Sequence, residues 1–202
     1  MPFSWERFRW SLWAPLYDPV VRLIARGRRR AVAQLNLQGD ERIAIVGCGT
    51  GLDLELLPRG VRIVAVDFNE SMLRAARRRA ARLDRDIDFR LMDATALDFD
   101  DETFDVVLLH LVLAVSRDPI AIASEVERVL RPGGRVSIYD KFLPEARDPS
   151  LARRGVNLVT RILATNINRR LHPILREAQL ELVQEEASVL GGFFRVAMAR
   201  KP

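Results

Sequence analysis

The run Ile43-Ala-Ile-Val46 breaks into Gly47-Cys-Gly-Thr-Gly51, and residues 51–57 then read as helical until Pro58 stops them. A short apolar strand that ends in glycines and opens a helix leaves few folds available. Glycines permit a tight turn and a close approach of backbone to a ligand. The free N–H groups of the helix N-terminus favour a negatively charged group. The next apolar run, Val61-Arg-Ile-Val-Ala-Val66, leads into Asp67. A carboxylate at that strand end can accept both hydroxyls of a ribose.

The same alternation continues along the chain. Asn69 caps a helix expected over 70–83, and Ile87 to Leu91 alternates as a third strand. Phe104 to Leu109 is a continuous apolar run, as suits a central parallel strand buried on both faces. Pro119 to Leu130 forms an amphipathic helix, a turn at Arg131-Pro-Gly-Gly134 follows, and Arg135 to Tyr139 makes strand five. Helices are expected over 150–164 and 167–178, the second capped by Thr165 or Asn166. Leu180 to Glu185 and Phe193 to Arg200 read as an antiparallel pair joined by a loop containing Gly191-Gly192. Strand–helix alternation over 40–140 implies an α/β fold with a doubly wound parallel sheet.

The 202 residues suit one domain, assigned to 38–202, with residues 1–37 as a distinct N-terminal segment. That segment holds Trp5, Trp10 and Trp13 and is rich in arginine. Trp5, Phe8, Leu12 and Leu16 fall on one face of a helix that Pro15 ends or kinks. Asp18 and Pro19 then start a second helix, with Val20 and Ile24 on its apolar side and Arg22, Arg26, Arg29 and Arg30 as a basic stripe. Such a segment can lie in the headgroup layer of an anionic membrane. It can equally pack on the domain as a helical lid.

The net charge is +5, carried almost wholly by arginine, since Lys141 and Lys201 are the only lysines. Arginine favours phosphate-bearing partners, although an arginine-rich codon usage produces the same excess. The one cysteine, Cys48, permits no disulfide within the chain and no metal set with a suitable histidine pair. The apolar stretch Val106 to Val115 is too short to span a bilayer, and Glu6, Arg7 and Arg9 interrupt any secretory signal. A cytoplasmic protein is expected, with peripheral contact at the inner face of the membrane.

A nicotinamide dehydrogenase shares this architecture, but its G-x-G-x-x-G would need glycine where the chain has Leu52. Met92-Asp93-Ala94 follows strand three, where an adenine amino group would be met; strand four leads into His110, and Gly133 and Gly134 enter strand five. In order and spacing, residues 40–142 resemble class I S-adenosylmethionine-dependent methyltransferases. The resemblance implies a Rossmann-like, seven-stranded, mostly parallel sheet with helices on both faces and an antiparallel C-terminal strand. It also implies S-adenosylmethionine as cofactor and S-adenosylhomocysteine as product. By it, the loop Gly47, Cys48, Gly49 and Gly51 holds the methionine part and Asp67 the ribose. Phe68 and Met72 line the adenine beside Met92, Asp93 and Ala94, and His110 sits near the sulfonium. The family's acid two residues before the first glycine is replaced by Ile45, for which Asp53 could compensate.

Trp13-Ala-Pro-Leu-Tyr-Asp18, Gly27-Arg-Arg-Arg30 and His110 to Pro119 resemble the soluble bacterial phosphatidylethanolamine N-methyltransferases. That resemblance implies a phospholipid substrate at an anionic membrane. Related quinone-ring methyltransferases share the tyrosine–aspartate entry and the same core. Tyr17, His110, Tyr139 and Asp140 are the candidates to orient an amine or accept its proton, and Lys141, Arg169 and Arg170 those to meet a lipid phosphate. Quinone or other hydrophobic small-molecule methylation is the alternative. From other classes come a nucleic-acid-binding protein and an inactive cofactor-binding regulator, the latter suggested by Ile45. Nucleic acid is disfavoured because the chain has neither an aromatic stacking motif nor an Asn/Asp-Pro-Pro-Tyr/Phe element after strand four.

Overall fold

A computed structural model describes residues 25–143, 168–188 and 193–202. In chain order these form α1 (Ala25–Gln34), β1 (Arg42–Val46), a 3-10 helix (Leu52–Leu56), β2 (Arg62–Asp67), α2 (Glu70–Arg82) and β3 (Asp88–Leu91). There follow β4 (Phe104–His110), α3 (Pro119–Val129), β5 (Leu130–Asp140), α4 (Leu171–Glu177), β6 (Glu181–Ala187) and β7 (Arg195–Arg200). The seven strands make one sheet in the order β3-β2-β1-β4-β5-β7-β6. Neighbours from β3 to β5 are parallel, while β7 runs antiparallel to both β5 and β6.

The central strands are apolar on both faces because both faces are covered. Ala44 and Val46 of β1 and Val107 and Leu109 of β4 join Ile122, Val126, Leu171 and Ile174 of α3 and α4. Ile43, Ile45, Val106 and Leu108 point the other way, to Val32 of α1, Leu54 of the 3-10 helix and Leu73 and Ala76 of α2. Each buried Val, Leu or Ile side chain among them contributes roughly 1.5–3 kcal/mol. Ile45 is thus a core residue, which explains why an apolar side chain is stable there.

Local chemistry fixes the helix starts. Asn69 caps α2 by accepting from the Ser71 N–H at 2.9 Å, and Asp118 caps α3 by accepting from the Ala121 N–H at 2.9 Å, with Pro119 at the first position. Three expectations change. The glycine loop opens a 3-10 helix, with Gly51 at its N-cap. Arg131 to Gly134 belong to β5, which begins at Leu130; the register shifts opposite Phe104 and Val106, and Gly133 absorbs the irregularity at φ 76°. The last helix begins at Leu171 and has no side-chain cap bond at Arg170. Thr165, Asn166, residues 150–164 and Gly191-Gly192 lie outside the described residues, as do the helices expected over residues 1–24. Within the described residues no helix is long and apolar enough to cross a membrane.

Candidate active site

The chain runs from β1 outward to β2 and β3, then returns to β4 on the other side of β1. A crevice opens beyond the carboxyl ends of strands at such a reversal. There the structure has a cavity of about 380 Å³. Gly47 and Gly49 form its wall after β1, and Asp67, Phe68 and Met72 the wall after β2. Met92 to Thr95 close it after β3, and Leu111, Val112, Val115 and Ser116 after β4. This volume lies in the range of small-molecule sites.

Gly47, Gly49 and Gly51 have φ of 71°, 55° and 80°, values that L side chains rarely adopt. The N–H groups of Gly47 and Cys48 both lie 2.9 Å from the Val66 carbonyl, which ties the loop to β2. Asp67 holds the crossing: its Oδ2 accepts from the Gly49 N–H at 2.8 Å and its Oδ1 from the Asn69 N–H at 2.9 Å. Burial pushes its carboxyl up to about 6, against the opposing pull of the Gly49, Asn69 and Phe68 N–H groups. Asp93 is oriented by Thr95, whose N–H and hydroxyl both donate to Oδ1, at 2.9 and 2.8 Å. Cys48 is buried, and burial followed by the charges of Asp67 and Asp53 pushes its thiol well up, which suits a small loop residue and no nucleophile.

Of the residues expected to hold a cofactor, the structure brings Gly47, Gly49, Asp67, Phe68, Met72, Met92, Asp93 and Ala94 onto this one cavity. Cys48 and Gly51 belong to the loop behind it. His110 is displaced from its expected place beside the cavity. Its ring is buried, with Nδ1 2.8 Å from Asp53 Oδ1 and Nε2 2.9 Å from Ser137 Oγ. Asp53 in turn meets Arg28 at 2.5 Å. Burial raises the Asp53 carboxyl, but Arg28 and His110 outweigh it and hold the group well below the usual range. An ionised carboxylate only accepts, so Nδ1 is the donor. Aspartate, histidine and serine here stand in the order of a hydrolytic triad. All three are buried and none lines the cavity.

Tyr139 is likewise away from the cavity. It is fully buried, stacks on Phe194 at 5.5 Å and fills the space left by the missing side chain of Gly27. Burial raises its hydroxyl above the ordinary value, which does not suit proton acceptance. Asp140 is buried and structural: its carboxylate accepts from the N–H groups of Ala114 and Lys141, each at 2.8 Å. Lys141 lies 3.5 Å from Asp140 and over the Phe194 ring. Arg169, expected to meet a phosphate, instead donates to the carbonyls of Leu113 and Ser116. Its guanidinium thus secures the cavity wall after β4. Arg170 stands at the N-cap of α4. Tyr17 lies outside the described residues. The wall residues Arg117 and Asp118 were not anticipated; their position just before Pro119 at a strand-to-helix step was the available signal.

A family model described as a methyltransferase domain matches residues 45–138. The chain is 32% identical to a phosphatidylethanolamine N-methyltransferase of Cereibacter sphaeroides, over 83% of this chain and 83% of that protein. It is 39% identical to a demethylmenaquinone methyltransferase of Clavibacter sepedonicus, over 68% of this chain and 54% of that protein. Among solved structures it is similar to a geranyl diphosphate C-methyltransferase from Streptomyces coelicolor in complex with S-adenosyl-L-homocysteine (TM-score 0.73, 19% identity, 90% of this chain and 81% of that one). It is also similar to the [4+2]-cyclase SpnF (TM-score 0.73, 21% identity, 86% of this chain and 80% of that one). A cyclase on the same fold means that the fold alone does not fix the reaction; the matching domain and the relative aligned over most of both chains do fix the family. The chain belongs to the class I S-adenosylmethionine-dependent methyltransferases.

Proposed function

We propose that this enzyme N-methylates the amine headgroup of phosphatidylethanolamine or its methylated derivatives at a membrane surface. The observation that carries this reading is the similarity to the phosphatidylethanolamine enzyme, which spans 83% of both chains. The tryptophan- and arginine-rich segment of residues 1–37 supports it, because a basic amphipathic segment gains from an anionic bilayer. The cavity accommodates the cofactor's chemistry: a glycine wall without side chains, a buried carboxylate, and the apolar Phe68 and Met72.

When bound, S-adenosylmethionine supplies a methyl group made electrophilic by its sulfonium. The chain's residues bind and orient. The loop of Gly47 to Gly51 receives the methionine part, and the Asp67 carboxylate accepts from the ribose hydroxyls. Phe68, Met72, Met92 and Ala94 enclose the adenine, and Asp93 accepts from its amino group. Val112 and Val115 exclude water, so that transfer rests on orientation and desolvation. Among the described residues none of His110, Tyr139 and Asp140 lines the cavity; Tyr17 is the remaining candidate to orient the amine.

A second reading, methylation of a quinone ring, is supported by the 39% identity to the menaquinone enzyme. A labelled-methyl assay on phosphatidylethanolamine vesicles, demethylmenaquinone and RNA in parallel separates the readings. Label in the vesicle lipid is expected; label confined to the quinone or to RNA would reject the phospholipid reading. Membrane contact is tested by co-sedimentation with anionic vesicles. Deletion of residues 1–14 is expected to weaken it, and equal binding of both proteins would reject that role.

A further inference from the structure

Asp53 occupies an unusual junction. It lies two residues beyond Gly51, in the 3-10 helix that the glycine loop opens. One carboxylate oxygen meets Arg28 of α1 at 2.5 Å, and the other meets His110, the last residue of β4, at 2.8 Å. His110 reaches on to Ser137 of β5 at 2.9 Å. Four buried polar side chains therefore join the four elements behind the cavity.

Two of these elements adjoin the cavity walls. Gly47 and Gly49 precede Asp53 in the loop, and Leu111 and Val112 follow His110 directly. Leu111 holds a left-handed φ of 64°, fixed by its N–H bond to the Tyr139 carbonyl at 2.7 Å. A non-glycine residue in that conformation persists only where its surroundings over-determine it. The His110 ring, held from both nitrogens, is one such constraint.

From this geometry we infer that Arg28, Asp53 and His110 form a positioning relay, which holds the glycine wall and the Val112 wall at the separation the cofactor requires. None of the three lines the cavity. They act through the backbone of residues 47–51 and 111–112. The relay also answers for Ile45: the ordering of the loop comes from behind the sheet end, through Asp53, rather than from an acid inside β1.

The inference rests on the assignment of the cavity to the cofactor, and one experiment separates the two. S-adenosylhomocysteine binding is measured by calorimetry on the full chain, with folding checked by circular dichroism and melting temperature. Failure of the wild-type protein to bind would overturn both the assignment and the relay. With wild-type binding established, Asp53→Asn and Arg28→Gln are each expected to raise Kd about tenfold. The double variant is expected to add less than the product of the two, since both cut the same relay. The KM for S-adenosylmethionine is expected to rise more than kcat falls. A merely structural role would lower the melting temperature and leave the Kd of the folded variants within twofold of wild type, and that result would overturn the relay. Should Asp53→Asn fail to fold, Arg28→Lys and Ser137→Ala carry the same test, with a threefold rise in Kd expected and an unchanged Kd decisive against it.

Discussion

Gly47 and Val112 meet across the cavity floor so closely that a Cβ at position 47 would stand 2.5 Å from Val112 Cγ2. The first comes from the loop after β1 and the second from the turn after β4, so their contact marks the reversal point of the sheet. Gly47→Ala adds an overpacking cost of roughly 1–3 kcal/mol and about 1 kcal/mol of left-handed backbone strain. We expect a lower melting temperature and at least tenfold weaker S-adenosylhomocysteine binding. Val112→Ala in the same chain should recover part of both, because the clash is relieved and the strain is not. No recovery in calorimetry would show that the contact is not the limiting feature.

The pH dependence of binding should follow Asp67. Its carboxyl stands at about 6 in the folded protein, above the reference value of 3.8. The folded state therefore holds the proton more tightly than the unfolded chain. The sign follows: this group's contribution to the stability of the ligand-free protein falls as pH rises from about 4 to about 6. A ligand hydroxyl that donates to the carboxylate favours the ionised form. Cofactor binding should thus weaken as pH falls through 6 and release a proton. Calorimetry between pH 5 and 8, in buffers of different ionisation heat, measures both. A flat profile would remove Asp67 from the ribose site.

Arg169 should behave as a structural residue. Its guanidinium, though lowered in basicity by burial, bonds the carbonyls of Leu113 and Ser116. Arg169→Ala leaves both acceptors without this donor and is expected to cost about 1–3 kcal/mol in chemical denaturation. The dependence of vesicle binding on anionic lipid should not change. A normal stability with lost lipid dependence would restore the phosphate-binding role.

Tyr139 and Gly27 form a second tight pair, in which a Cβ on Gly27 would lie 2.3 Å from the tyrosine ring. Gly27→Ala is expected to destabilise by roughly 1–3 kcal/mol. Tyr139→Phe should keep turnover within about threefold, because the hydroxyl lies off the cavity. A hundredfold loss of turnover at unchanged stability would place that hydroxyl in the chemistry after all.

Much of this site can be read in advance. The apolar runs of β1, β2 and β4 announce strands buried on both faces, and the glycines after β1 and Asp67 after β2 mark the crevice where they end. What failed was side-chain direction. A strand alternates with period two, so His110 shares a face with Val106 and Leu108, toward α1 and α2, rather than facing the cavity. The same parity puts Ser137 and Tyr139 on that face. Arg28 is hidden by its neighbours: in Gly27-Arg-Arg-Arg30 the two arginines that follow it are exposed and this one is buried. Its partner Asp53 lies 25 positions along the chain, a pairing that only tertiary structure creates. Arg131 to Gly134 read as a turn by composition, yet Lys201, just beyond β7, extends the pairing to them: the Gly133 N–H donates to the Lys201 carbonyl and the Lys201 N–H to the Gly134 carbonyl, each at 3.0 Å.

The place of β7 between β5 and β6 bears on how the molecule is made. Arg195 to Arg200 pair with β5 on one side and β6 on the other, so the last of the seven described strands fills the interior of the sheet. Until this strand has been synthesised, β5 presents a bare hydrogen-bonding edge beside the β1 to β4 layer. Such an edge can pair with another nascent chain. The parallel half can collapse early, but cooperative closure waits for contacts between distant parts of the sequence, which slows folding. Truncation of the buried Val196 should therefore lower the yield of native protein during synthesis as well as the stability of the finished enzyme.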